Sequence, residues 1–220
     1  MSPRSFTLAA MAMFTVCRLG AQVIQFESGG LKYQTLSKKG VTVMLAHMPA
    51  QLRDYSIVQV GVMNGSATAQ TVRPEDLSFR REDGTVTFAL PARVVVDQLL
   101  AHASRNDVIK LISTYEMGLN GVSRFRSTNG YEQRRQSALA EMGGNKLKAA
   151  AAASAIALVA TKLMPGESTD GAVFFGNEGR PLGPGRFTVR AAGQIFEFSS
   201  IPEPAGRVLQ QRTGAVAQQN

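Results

Sequence analysis

Residues 53–84, RDYSIVQVGVMNGSATAQTVRPEDLSFRREDG, decide the fold class of this chain. Tyr55, Ile57, Val58, Val60 and Val62 form a β-branched, mostly alternating run, and Asn64-Gly65-Ser66 closes it with turn residues. Leu77 and Phe79 begin a second strand pattern, and Asp83-Gly84 supplies the next turn. The spacing predicts two strands of an antiparallel sheet with one face buried.

Working outward, Val23 to Phe26 and Leu31 to Leu36 alternate weakly and predict edge strands. Gly40 to Met48 alternates more strongly, with Val41, Val43 and Leu45 on one face and Pro49 as its stop. Short segments at Ala69 to Val72, Asp76 to Arg81 and Thr85 to Leu90 continue the β pattern. After Pro91 the period becomes helical. Ala92 to Ala103 is one helix, and Ser104 with Asp107 forms a capping-box-like start to the next. Its stripe is Val108, Leu111, Ile112, Tyr115 and Leu119, with Asn120-Gly121 as the stop. Asn145 is the expected N-cap of a helix over Lys146 to Met164 that contains the run Ala149 to Ala153. Strand patterns return at Ala172 to Phe175, Arg186 to Arg190 and Gln194 to Phe198.

The expected domain therefore covers residues 23–201, with a helical insertion at about 92–164 and a polar, disordered tail at 202–220. The strands after the helices should pair with those before residue 90. The helices should dock on the sheet as a small layer, Leu147, Ile156 and Leu158 contributing its other apolar stripe.

The motifs that carry the β pattern also carry a resemblance. Tyr55 to Ser66, the Pro74-Glu75-Asp76-Leu77 and Glu82-Asp83-Gly84 segments, and Pro165-Gly166-Glu167-Ser168 followed by Gly171 to Phe175 resemble secreted bacterial immunoglobulin-like domains of unassigned function. The resemblance implies a fold that is mainly β with an α insertion: an antiparallel immunoglobulin-like β-sandwich plus a small helical layer. It implies export as well, and brings no catalytic residues.

Residues 1–22 have the order of a secretory signal peptide: Arg4, an uncharged apolar run from Phe6 to Val16, then Leu19-Gly20-Ala21. A buried N-terminal helix is the alternative. Cleavage after Ala21 would place the protein in the periplasm or outside the cell and remove Cys17, its only cysteine. Val16 stands where a lipoprotein signal needs a small residue, so a lipid anchor on Cys17 is the minor reading. The uncharged stretch between Lys148 and Lys162 is 13 residues long. That is short of the roughly 20 a membrane-spanning helix requires.

The formal net charge is +8. Nucleic acid is the usual partner of a basic chain, but export removes it. Residues 93–162 hold 10 basic and five acidic side chains, and Arg124, Arg126, Arg134 and Arg135 are the densest group. They are the candidate binding residues, since arginine forks suit carboxylate or phosphate; a solvated helix face is the plainer reading. An anionic envelope component or an acidic protein is the corresponding partner.

No catalytic set, metal site or cofactor motif is expected. His47 and His102 stand alone, without metal-ligand spacing. Glu75-Asp76 and Glu82-Asp83 are adjacent in sequence, so a strand would send the two carboxyls to opposite faces. The expectation is a non-catalytic exported interaction module. The alternative is an enzyme or ligand carrier with its site between insert and sandwich.

Overall fold

The computed structural model describes residues 22–121 and 144–201. Among them the chain is mainly β, with antiparallel sheets and three helices. The first sheet takes β1 (Ile24–Ser28), β2 (Leu31–Lys38), β3 (Val41–Leu52), β4 (Tyr55–Asn64) and β9 (Ser168–Gly176) in the order β1-β2-β3-β4-β9. It curls into a half-barrel. The second holds β6 (Leu77–Arg81), β7 (Val86–Phe88), β10 (Gly185–Ala191) and β11 (Gln194–Ser199) in the order β11-β10-β6-β7. β5 (Gln70–Val72) and β8 (Thr161–Leu163) form a short third ribbon. β9 pairs with β4 and β10 with β6, so the chain after the helices closes on the strands before them.

β4 lies in the middle of the molecule and is buried on both faces, not on one. Val58, Val60 and Val62 face the second sheet, where Leu77, Phe79, Phe187, Val189, Phe196 and Phe198 complete one core. Ile57 and the partly buried Tyr55 and Met63 face the helices, in a second core with Met44, Ala46, Leu99, Leu111 and Phe174. The strand between them reads YSIVQVGVMN because each parity meets a different apolar layer.

Three helices, α1 (Ala92–His102), α2 (Arg105–Gly121) and α3 (Asn145–Ile156), dock on the first sheet. The Ser104–Asp107 box forms as expected: the Ser104 N–H and hydroxyl donate to the Asp107 carboxylate at 2.7 and 2.9 Å, and the Asp107 N–H donates to Ser104 Oγ at 3.3 Å. Arg53, in the β3–β4 turn, ties the layers together. Its guanidinium donates to the His102 carbonyl at 2.8 Å and lies 3.6 Å from Asp107. The alanines of α3 are buried in their own right, Ala149, Ala150, Ala152 and Ala153 packing where larger side chains would hold α3 away from α1 and α2.

Several expectations are corrected. β2 is interior, so of the two strands expected at an edge β1 alone lies there. β3 runs through Pro49 because its register shifts between His47 and Gln51, and such an irregularity tolerates a residue with no N–H to give. Ile112 and Leu147 are exposed, so the apolar stripes are narrower than their spacing suggests. Asn145 is the first helical residue and Gly144 the N-cap, at φ 84°.

The last helix stops at Ile156, eight residues short of Met164. Leu158 instead donates its N–H to the Ala172 carbonyl at 2.8 Å, and Thr161 to Leu163 join β5. Gly171 permits this approach, since a Cβ there would sit 2.5 Å from the Leu158 nitrogen.

The turn Asn64-Gly65-Ser66 is a junction. Asn64 is fully buried with every polar group engaged. Its amide donates to the Thr68 and Leu163 carbonyls at 2.8 and 3.0 Å, and Oδ1 accepts from the Ser66 N–H and hydroxyl. Its backbone N–H donates to the Glu167 carbonyl at 2.9 Å.

Candidate binding cleft

The residues that gather chemistry are drawn from both sheets. β6 and β10 alternate: Phe79 and Phe187 point inward, which sends Arg80 and Arg186 outward. Register places Arg186 directly opposite Arg80. Arg81 follows at the strand end, and all three border an open cleft of about 660 Å³. Gln25 and Gln34 line it from the first sheet, Glu82, Glu197 and Ser200 from the second.

The cleft is braced from within. The buried Gln34 side chain imitates a peptide: its amide donates to the Ser199 carbonyl at 2.6 Å, and its carbonyl accepts the Ser199 N–H at 3.2 Å. Two hydrogen bonds thereby join the sheets beside the opening. Ser200 extends the brace, its N–H donating to the Gly185 carbonyl at 3.0 Å and its hydroxyl to the Gly183 carbonyl at 2.9 Å. Gly185 has no room for a side chain, because a Cβ would collide with the Arg80 carbonyl oxygen and the Phe79 ring.

Like charges placed opposite each other across an antiparallel pair are destabilising. Here one carboxylate answers them: Arg186 meets Glu197 at 3.3 Å, in an exposed single-nitrogen contact that contributes little. Arg80 and Arg81 make no ion pair among the described residues. The cleft thus presents three guanidinium forks and the Gln25 amide, with the Glu82 and Glu197 carboxylates at its border, and the forks suit oxyanions.

Arg124, Arg126, Arg134 and Arg135, the binding residues expected from sequence, lie outside the described residues. The three cleft arginines were missed because they are split across more than 100 residues of chain, in segments whose charges nearly balance. Only the pairing of β6 with β10 brings them together. A second cleft, of about 470 Å³, is lined by Gln70, Thr71, Asp76, Arg190 and the β10–β11 turn. Strands and turns alone line both, so neither lies between helices and sandwich.

The histidines stay apart. His47 stands on β3 with its ring 6.3 Å from that of Phe187, and partial burial lowers its pKa below the ordinary imidazole value. His102 ends α1. Glu75 and Asp76 occupy a single 3₁₀ turn rather than a strand. Asp83 accepts the Thr85 N–H at 2.8 Å, a turn role that lowers its pKa. Among the described residues no three His, Cys, Asp or Glu side chains form a metal-binding group, and no helix is long and apolar enough to cross a membrane.

No known family matches this chain, and no curated protein or solved structure is found similar to it.

Proposed function

We propose that this protein is a non-catalytic, exported interaction module, with an immunoglobulin-like sandwich as its scaffold, that takes an anionic partner in the Arg80–Arg81–Arg186 cleft. One observation carries the reading: Arg80 and Arg186 face each other across β6 and β10, and among the described residues only Arg186 is paired with a carboxylate, Glu197. That arrangement costs fold stability and is relieved by a carboxylate or phosphate brought from outside. The tripartite order of residues 1–22 supports export, and the facing antiparallel sheets support the scaffold. Arg124, Arg126, Arg134 and Arg135 offer a second basic surface for the same partner, supported by the charge excess of residues 93–162.

Calorimetric titration with a hexaglutamate peptide tests both surfaces. The triple variant R80Q/R81Q/R186Q should lose about tenfold or more in affinity, with a shallower salt dependence, because each guanidinium supplies a charge-assisted hydrogen bond. R124Q/R126Q/R134Q/R135Q should weaken binding less. Equal binding by parent and triple variant across a salt series rejects the cleft, and loss in the quadruple variant alone moves the contact to the insert.

A further inference from the structure

β1 is the open edge of the first sheet. It pairs with β2 in unbroken register from Ile24↔Thr35 to Ser28↔Leu31, and among the described residues no strand pairs its other side. Exposed edges are normally blunted by lysine, proline, a bulge or an unanswered charge. β1 has no lysine, proline or bulge, and its one charge, Glu27, sits opposite Lys32. Alternate residues of this edge direct backbone N–H and C=O groups away from β2.

The two faces of β1 differ in chemistry. Val23 and Gln25 line the arginine cleft. Ile24 and Phe26 project on the opposite face, 63 % and 36 % exposed, with the Phe26 ring stacked on Tyr33 at a centroid distance of 5.4 Å. A strand added here would lie about 4.8 Å beyond β1 and would alternate in the same way. One set of its side chains would point toward the cleft with Arg80, Arg81 and Arg186, the other toward Ile24 and Phe26. Backbone pairing would supply affinity and the two faces selectivity, as in strand-addition complexes.

We propose that the edge of β1 and the cleft beside it form one recognition site for an extended peptide segment of alternating acidic and apolar residues, bound as a sixth strand of the sheet. This rests on the cleft as the anion-binding surface and goes further by naming the ligand and its conformation. Charge complementarity selects an acidic peptide over a second copy of this chain, whose β1 would bring only Glu27 to the arginines.

The test uses fluorescein-labelled peptides and the intact protein. A peptide of four Glu-Val repeats should bind about tenfold tighter than a block peptide of identical composition, EEEEVVVV, since only alternation satisfies both faces. Two N-methylated forms of the alternating peptide, methylated at every glutamate or at every valine, should differ. One loses its pairing N–H groups and its binding, while the other carries its methyl groups on the open side and binds as the parent. R80Q/R81Q/R186Q should abolish the advantage of the alternating peptide over the block one. Equal binding of the alternating, block and both methylated peptides, all weakened by R80Q/R81Q/R186Q, overturns strand addition and leaves the cleft standing. No binding by any peptide overturns both readings. Sedimentation showing a dimer that excludes the peptide overturns the inference in favour of a second copy on β1.

Discussion

Tyr33 shows how one position records the layer above it. It sits on β2 opposite Ala46, is 1 % exposed, and packs in the core shared with the helices. Burial, and secondarily the charge of Asp170, push its pKa up from 10.0 to about 12. The folded state therefore holds the phenolic proton more tightly than the unfolded chain does. The stability this represents is complete below pH 10 and is lost as pH rises from 10 toward 12. The full difference corresponds to on the order of 3 kcal/mol. Urea midpoints measured from pH 9 upward should fall for the parent and fall less for Tyr33→Phe. Parallel decline in both would show that Tyr33 ionises as freely as in the unfolded chain.

Among elements, the junction from α3 to β8 was the least legible. Lys146 to Met164 holds alanine, leucine and lysine, strong helix formers, and local propensity carries the pattern past Ile156. Tertiary contacts override it. The Leu158 N–H finds the Ala172 carbonyl, and Thr161 to Leu163 pair with Gln70 to Val72, pairings that residues distant in sequence create. Gly171→Val should break this junction, since the added atoms meet the Leu158 nitrogen and α-carbon at 2.5 and 2.6 Å, both backbone and unable to rotate away. A loss of several kcal/mol is expected, with fast hydrogen exchange at the Leu158 amide. A protected Leu158 amide in a folded variant would show that the segment closes without the glycine. By contrast, the Ser104–Asp107 box and the Asp83-Gly84 turn were readable because their partners lie within three residues.

For the whole molecule, the consequence of a doubly buried β4 is that both cores hang on one strand. Val60 is fully buried, opposite Leu45 on one side and Gly171 on the other. Val60→Asp should bury an unpaired charge and cost several kcal/mol. Because the same strand backs the helices through Ile57, helical and β circular-dichroism signals should be lost together, in one transition at lower urea. Two separate transitions would mean that the helical layer and the sheets are independent units.

Pattern alone determined the β character, the turns at Asn64-Gly65 and Asp83-Gly84, the helical stretch after Pro91 and the excess of positive charge. Periodicity, capping and turn chemistry act over a few residues and are written where they act. Tertiary structure decided which strand is an edge, that β4 serves two cores, where the last helix ends, and that Arg80, Arg81 and Arg186 share one cleft with β1. Most of those are matters of pairing between segments roughly 90 to 120 residues apart. A strand's period states which side chains share a face and is silent on what that face will meet.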